Sequence, residues 1–288
     1  MHLDVKEIRD FYYRSTLGRA ARASINKNLS SIWPETNGLN VLGFGFPIPF
    51  LRKYLDTSRR VVALMPAQMG VLAWPSPEAN VSVLVDEKRW PIDTGHVDRL
   101  IMSHSLEHAS DISALLTEAY RVLGPGGRAL FMVPNRAGLW SRSDDTPFGQ
   151  GKPFSSGQLE IQLRLHGFLP EKHFSALYML PSKKRNLQRF SPFLEKMGQK
   201  LPFLVGGLIM LEASKIPNVT KGSPILDSKR SPRGVLEGLA KGKPQPVLNI
   251  NNKKKNFQKN RNLSDSFVLL VYKCKAIGRM MAKSLGNI

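Results

Sequence analysis

Five short apolar segments between residues 40 and 134 constrain the fold of this chain more than any other feature. Each segment has the length of a β-strand, and in order they read NVLGFG, RVVALM, VSVLV, VDRLIMS and RALFMVP. Helical stretches lie between them, the clearest being DISALLTEAYRVLGPGG, with Asp111 at its N-cap position and glycines at its end. Strands that alternate with helices form parallel sheets through right-handed crossovers. We therefore predict an α/β domain.

Further helices and strands are predicted on both sides of this region. Residues 4–32 place apolar side chains mostly three or four positions apart, which predicts one or two lead-in helices with a break near Gly18. The segment SSGQLEIQLRLHGF predicts a helix capped at Ser155 or Ser156. Two more strands follow, FLPEKHFSALYML and GGLIMLEAS, with a basic helix between them at 183–200.

The basic charge of the chain is concentrated at its end. The 288 residues carry a net charge of +20, and from Lys215 onward 16 Lys and Arg face 3 Asp and Glu. The segment NINNKKKNFQKNRN buries too little apolar surface to fold alone. We predict a helical lead-in at 1–34, an α/β domain at 35–214 and a basic, largely disordered tail at 215–288. The tail could contact nucleic acid or an anionic membrane, or simply be solvated.

Cysteine and hydropathy patterns exclude several classes of protein. Cys274 is the only cysteine, so the chain has no disulfide partner within itself and no thiolate metal cluster. The first ten residues are charged where a signal peptide needs an apolar core, and the uncharged run 201–211 is shorter than the roughly 20 residues that span a bilayer. We expect a soluble, cytoplasmic protein. Asp144 and Asp145 lack compact spacing with any histidine, so we predict no metal site.

The order of motifs from residue 40 to 135 resembles the class I S-adenosylmethionine-dependent methyltransferases of the small-molecule type. The motifs that carry the resemblance are VLGFGFPIP, VVALMPA, LVDEKRWPIDTGHVDRLIMSHSLEH and LLTEAYRVLGPGGRALFMVPN. In that family a helix ends in a leucine, a proline and two glycines before the fifth strand, as RVLGPGG does here. The resemblance covers roughly residues 35–214. It implies a Rossmann-like, doubly wound, mostly parallel seven-stranded sheet and S-adenosylmethionine as cofactor.

Positions that match the family's motifs are expected to form the cofactor site. They are Gly43, Phe44, Gly45, Met65, Asp86, Glu87, Ser103 and His104. The sequence departs from the family at three of its motif positions. Gly43 replaces an acidic residue, Pro47 or Ile48 replaces the third loop glycine, and Met65 lies where the family places the acid that binds the ribose. A lost charge-assisted hydrogen bond of about 1.5–3 kcal/mol would weaken binding about ten- to a hundredfold.

Substrate contacts are expected from the long loop after the fifth strand and from the lead-in helix. The candidates are Tyr12, Tyr13, Arg136, Trp140 and Arg142, because aromatic rings and guanidinium groups suit an anionic or planar ligand. His104, His108 and the two tyrosines are candidate bases for an oxygen nucleophile. The cofactor and substrate candidates also have structural interpretations. Asp86 and Glu87 could be solvated loop carboxylates, and the arginines and aspartates of the long loop could form a surface network. Glu107 and His108 could serve packing.

Three functions remain open on the sequence alone. The first is a methyltransferase that uses S-adenosylmethionine to methylate a small-molecule or lipid-like acceptor. The second is a non-catalytic binding or scaffold protein that kept the fold and lost the cofactor, which the missing ribose carboxylate favours. The third is a nucleic-acid methyltransferase guided by the basic tail.

Overall fold

The computed structural model describes residues 3–182, 195, 197–198 and 205–216. Within them the strands are β1 Asn40–Gly45, β2 Arg60–Pro66, β3 Ser82–Val85, β4 Val97–Ser103, β5 Leu123–Pro134, β6 Phe168–Ala176 and β7 Leu208–Lys215. The helices are α1 Val5–Arg14, α2 Thr16–Ile32, α3 Ile48–Leu51, α4 Ile112–Val122 and α5 Ser156–Leu165, with single 3-10 turns at Arg52–Tyr54, Trp140–Arg142 and Pro147–Gly149. Most of the basic helix expected at 183–200, and the tail from 217, lie outside the described residues.

The strands form one sheet in the order β3-β2-β1-β4-β5-β7-β6. Strands β1 to β5 pair in parallel, and β7 runs antiparallel to both of its neighbours. The seven-stranded, mostly parallel sheet expected from the sequence is therefore confirmed. The strand order reverses between β1 and β4, and ligands of open parallel sheets bind beyond the carboxyl ends of the strands at such a point.

Two apolar cores cover the two faces of the sheet. One contains the buried sides of α1, α2 and α3, and the other contains those of α4 and α5. The predicted N-cap of α4 is confirmed, since the Asp111 side chain accepts a hydrogen bond from the Ala114 N–H, and Leu115, Ala119 and Val122 form the buried face of the helix. Ser155 caps α5 in a capping box, as expected. The lead-in helices share a continuous core with the sheet.

The lead-in region forms two helices, as expected, and the break between them lies at Ser15, three residues before Gly18. The Ser15 hydroxyl caps α2 by accepting a hydrogen bond from the Gly18 N–H at 2.9 Å. Gly18 lies inside α2, where a Cβ would come within 1.9 Å of the Phe11 carbonyl oxygen. Its missing side chain lets the end of α1 approach α2, so the glycine reflects packing and not a helix end.

Two of the expected crossover helices are absent from the described residues. The connections 67–81 and 86–96 contain turns, bends and one isolated bridge between Asp86 and Arg89, but no helix. Pro75, Pro77 and Pro91 interrupt them, and proline has no N–H to donate within a helix. The GPGG segment follows α4, as expected, but it lies inside β5, which begins at Leu123. Across the described residues, no helix is both long enough and apolar enough to span a membrane.

Candidate functional site

A cavity of about 330 Å³ lies at the carboxyl ends of the central strands, and we call it the cleft. Its walls come from the end of β1, the end of β2, the turn after β3, the segment 104–109 after β4 and the loop residues 150–152, with Leu3 at the N-terminal side. This is the position that the topology predicts for a ligand. The volume is at the lower end of the range of about 300–1,000 Å³ found for small-molecule sites.

Glycine is required where β1 meets the end of β4. Gly45 has a φ of +92°, and a Cβ there would lie 2.0 Å from the Ser103 carbonyl oxygen. The next residue, Phe46, donates its N–H to that same oxygen at 2.8 Å. Gly43 is glycine for another reason, since a Cβ there would come within 2.3 Å of the Pro47 ring. Of these residues, none lines the cleft directly, although they set the backbone beneath it.

The remaining predicted cofactor residues divide between the cleft and its surroundings. Phe44 lines the cleft and stacks on Trp90 with ring centroids 4.5 Å apart. Met65 is fully buried in the core, so its side chain is not offered to a ligand. Asp86 is exposed and lies in a separate depression, where its carboxylate accepts the Lys88 N–H at 2.7 Å.

Of the two acidic residues predicted for the cofactor site, Glu87 is the one that lines the cleft. Its side chain is buried, and its carboxylate accepts hydrogen bonds from both the N–H and the hydroxyl of Ser110. These bonds tie the turn after β3 to the start of α4. The carboxylate is thereby held in one orientation at the cleft wall, with acceptor capacity left for a ligand.

His104 lies at the end of β4 with a φ of +50°, an uncommon conformation for a residue with a side chain. It is buried, and its Nε2 atom lies 2.8 Å from the hydroxyl of Tyr12 on α1. Tyr12 in turn stacks parallel to Phe46 at 6.2 Å. Burial raises the pKa of the Tyr12 phenol well above its ordinary value, and the charge of Glu107 raises it further. Tyr12 is therefore protonated and positions the imidazole.

Glu107 completes a polar cluster at the base of the cleft. Its Oε1 atom lies 3.4 Å from His104 Nδ1, and its Oε2 atom accepts the Ser105 N–H at 3.1 Å. Burial alone would raise the pKa of the carboxyl group, but the imidazoles of His104 and His108 outweigh it and hold the pKa below its usual range. The ligand atoms of His104, Glu107 and His108 lie within 4.8 Å of one another, a grouping that could hold a metal ion.

The predicted substrate residues do not all meet at the cleft. Tyr13 is exposed, with the Arg22 guanidinium over its ring, and Arg142 lines a separate depression beside Asp144 and Asp145. Arg136 is exposed and donates a hydrogen bond to the Pro153 carbonyl. Trp140 is buried and donates its indole N–H to the Met179 carbonyl. Only Tyr12 reaches the cleft, through His104.

Several cleft residues were not expected from the sequence. Gln68 and Met69 follow β2, and Gln150 and Lys152 come from the loop after β5. A polar residue two positions beyond a strand end could have indicated Gln68. The contribution of Lys152 could not be foreseen, because it depends on the bond from its N–H to the Glu107 carbonyl at 2.8 Å, which brings the loop back over the cleft.

Comparison with known proteins gives one matching domain model and solved structures of similar fold. Residues 42–131 match a family model described as a methyltransferase domain. A solved S-adenosylmethionine-dependent methyltransferase from Aquifex aeolicus superposes with a TM-score of 0.51 at 15% identity, covering 74% of this chain and 100% of that one. A possible histamine N-methyltransferase from Thermotoga maritima gives a TM-score of 0.47 at 16% identity, covering 72% and 93%. No curated protein matches the sequence.

Proposed function

We propose that this chain is a class I S-adenosylmethionine-dependent methyltransferase that transfers a methyl group to a small polar molecule in the cleft, since residues 42–131 match a methyltransferase domain model. The observation that carries the proposal is the cleft itself, at the carboxyl ends of β1, β2 and β4 in a domain whose family and fold imply S-adenosylmethionine as cofactor. The acceptor is the part that goes beyond the family.

The residues of the cleft fit the cofactor in part. One buried polar atom at its wall, Ser105 Oγ, has no hydrogen-bond partner among the described residues. Buried polar groups are normally satisfied, so a polar ligand at this wall accounts for it. Gln68 lies beside the end of β2 and offers an amide for the ribose hydroxyls in place of the missing acid. A neutral amide forms a weaker bond than a carboxylate, so we expect modest affinity.

The chain's own residues act in this reaction mainly by positioning. When bound, the cofactor supplies a methyl group activated on a sulfonium. Methyl transfer needs the acceptor atom close to that carbon and aligned with it, so holding the two in place supplies much of the rate. Glu87, Gln68 and Phe44 line the cleft and would fix a ligand's orientation, and Phe44 is itself held by stacking on Trp90.

The size and polarity of the cleft support a small polar acceptor over a lipid-like one. A volume of about 330 Å³ leaves little space beside a cofactor. The wall on the loop side carries Lys152 and Gln150, which are exposed, together with His108. Charged and amide groups at an opening favour an acceptor with its own polar groups.

Cofactor binding tests the proposal. The melting temperature of the full-length protein is measured with S-adenosylmethionine and with its demethylated product, S-adenosylhomocysteine. At 100 times the dissociation constant we expect about 2.7 kcal/mol of stabilisation, or roughly 5–10 °C for a domain of this size. Ala109→Trp fills the cleft and should abolish the shift. The matched control is Ala79→Trp at an exposed position outside the cleft, which should retain it.

The outcomes separate the proposed function from its alternatives. A shift in the wild type and in Ala79→Trp, absent in Ala109→Trp, places cofactor binding in the cleft and justifies a screen of small polar acceptors for turnover. No shift at millimolar ligand in the wild type would refute the enzymatic proposal and favour a scaffold protein. An equal shift in both variants would move the binding site elsewhere.

A further inference from the structure

Three potential metal ligands lie within five residues at the base of the cleft. His104 directly follows β4, and Glu107 and His108 lie on the tight turn that comes next, which is closed by a hydrogen bond from the His108 N–H to the Ser105 carbonyl at 3.1 Å. One ligand atom from each of the three side chains lies within 4.8 Å of the others. Both His104 and Glu107 have side chains that are 1% exposed, whereas His108 is half-buried.

The two buried members leave suitable atoms facing each other. His104 Nδ1 has no hydrogen-bond partner among the described residues and lies 3.4 Å from Glu107 Oε1. Metal–ligand bonds of about 2.0–2.2 Å at a tetrahedral angle put neighbouring ligand atoms about 3.3–3.6 Å apart. The observed separation is long for a hydrogen bond and matches the edge of a metal site.

The other atom of each side chain is already held by the protein. His104 Nε2 is bonded to the Tyr12 hydroxyl at 2.8 Å, and Glu107 Oε2 accepts the Ser105 N–H at 3.1 Å. Histidine ligands of metals commonly use their second nitrogen for such a bond, which fixes the tautomer and the ring orientation. His104 also has a φ of +50°, a strained backbone conformation for a residue with a side chain, and this conformation places the imidazole ring at the cleft.

From these contacts we propose that His104, Glu107 and His108 bind a divalent transition-metal ion of the zinc type at the base of the cleft. Two imidazoles and one carboxylate form a donor set of catalytic zinc sites, which keep a fourth position open. Since all three residues line the cleft, that position faces the ligand space. The sequence predicted no metal site. That prediction rested only on the dispersed residues Asp144, Asp145, His166 and His173.

The site also suggests which acceptors the cleft takes. A hydroxyl or carboxylate oxygen of the acceptor becomes the fourth ligand, and a hydroxyl releases its proton to solvent on coordination because the ion lowers its pKa. The inference that an acceptor oxygen becomes the fourth ligand rests on the proposed function, whereas the inference that the three side chains bind an ion does not. An acceptor oxygen held in this way lies at the wall formed by His104 and Glu107.

Zinc titration of the full-length protein, freed of metal with a chelator and without any cofactor, tests the site by calorimetry. We expect one ion per chain at micromolar affinity or tighter. His108→Gln and Glu107→Gln should each weaken binding at least about tenfold, since each removes a ligand. The control is His96→Gln, which changes an exposed histidine away from the cleft and should bind zinc as the wild type does. If Glu107→Gln does not fold, the half-buried His108 still carries the test.

Cobalt in place of zinc allows binding to be followed by visible absorption. A cluster with only a structural role would not bind cobalt and would give no such absorption. The wild-type complex should show visible absorption bands typical of four-coordinate cobalt. Tyr12→Phe should alter these bands and weaken binding about ten- to a hundredfold, because Tyr12 orients His104. No stoichiometric binding by the wild type, or an equal loss in His96→Gln, would overturn the proposal. Zinc binding without cofactor binding would refute the proposed function and leave the ion site standing.

Discussion

Replacing Gly45 by alanine should destabilise the protein by about 2–5 kcal/mol, through two separable costs. Its φ of +92° costs a residue with a side chain about 1–2 kcal/mol. The added methyl group would lie 2.0 Å from the Ser103 carbonyl oxygen, and forcing strands β1 and β4 apart to relieve the overlap costs about 1–3 kcal/mol more. For a domain of this size the melting temperature should fall by roughly 4–20 °C.

Two matched glycines separate the costs. Gly38 also has a positive φ, +72°, but a Cβ there meets no atom within 4 Å, so Gly38→Ala should lose only the conformational part, about 1–2 kcal/mol. Gly157 lies in α5 with open space around it, and Gly157→Ala should gain about 0.4–1 kcal/mol. Urea unfolding followed by tryptophan fluorescence measures all three. The reasoning fails if Gly45→Ala costs no more than Gly38→Ala.

Two further predictions concern the end of α2, where Trp33 caps the helix and Lys53 donates from its Nζ atom to the Trp33 carbonyl at 3.3 Å. The Trp33 indole N–H donates a hydrogen bond to the buried Glu212 carboxylate at 2.8 Å. Trp33→Phe removes this bond and should lower the free energy of unfolding, measured in urea, by about 1–3 kcal/mol. An equal loss in a Glu212→Gln background would show that the two side chains are not coupled and would contradict the prediction. Burial lowers the pKa of Lys53 to about 8, so the folded state binds its proton less readily than the unfolded state, and stability is reduced below pH 8. The unfolding free energy of the wild type should therefore rise relative to that of Lys53→Met between pH 8 and 10.5, and a flat difference would refute the shift.

The strands could be predicted from the sequence because their signal is local. Val41 and Leu42, for example, belong to a short apolar run bounded by turn residues, and a buried parallel strand has that pattern. The helix starts at Asp111 and Ser155 were equally local, since a capping side chain acts within three residues. The exact position of the break, at Ser15, could not be predicted because the sequence does not reveal that Gly18 faces the Phe11 carbonyl.

The cleft was harder to predict because its walls come from distant segments. Glu87 and His104 were expected there from motif positions, and the structure places both at the cleft. Met65 follows the same motif logic, yet its side chain lies in the core. The turn at Glu107 was interpreted as structural, since neither its approach to His104 nor the oxygen-to-nitrogen distance of 3.4 Å can be inferred from spacing alone.

The departures of the first-strand loop from the family pattern are explained by α1. Where the family has its third loop glycine, this chain has Pro47 or Ile48, and the residue before them, Phe46, is fully buried against Tyr12. The start of α1 is fixed at the cleft by the bond from the Val5 N–H to the Met69 carbonyl at 2.9 Å. Tyr12 thus contacts both the loop and His104, so one helix positions the backbone under the cleft and the imidazole at its wall. Aromatic packing from α1 therefore supplies the rigidity of this loop, and the shape of the cleft depends on the lead-in helix.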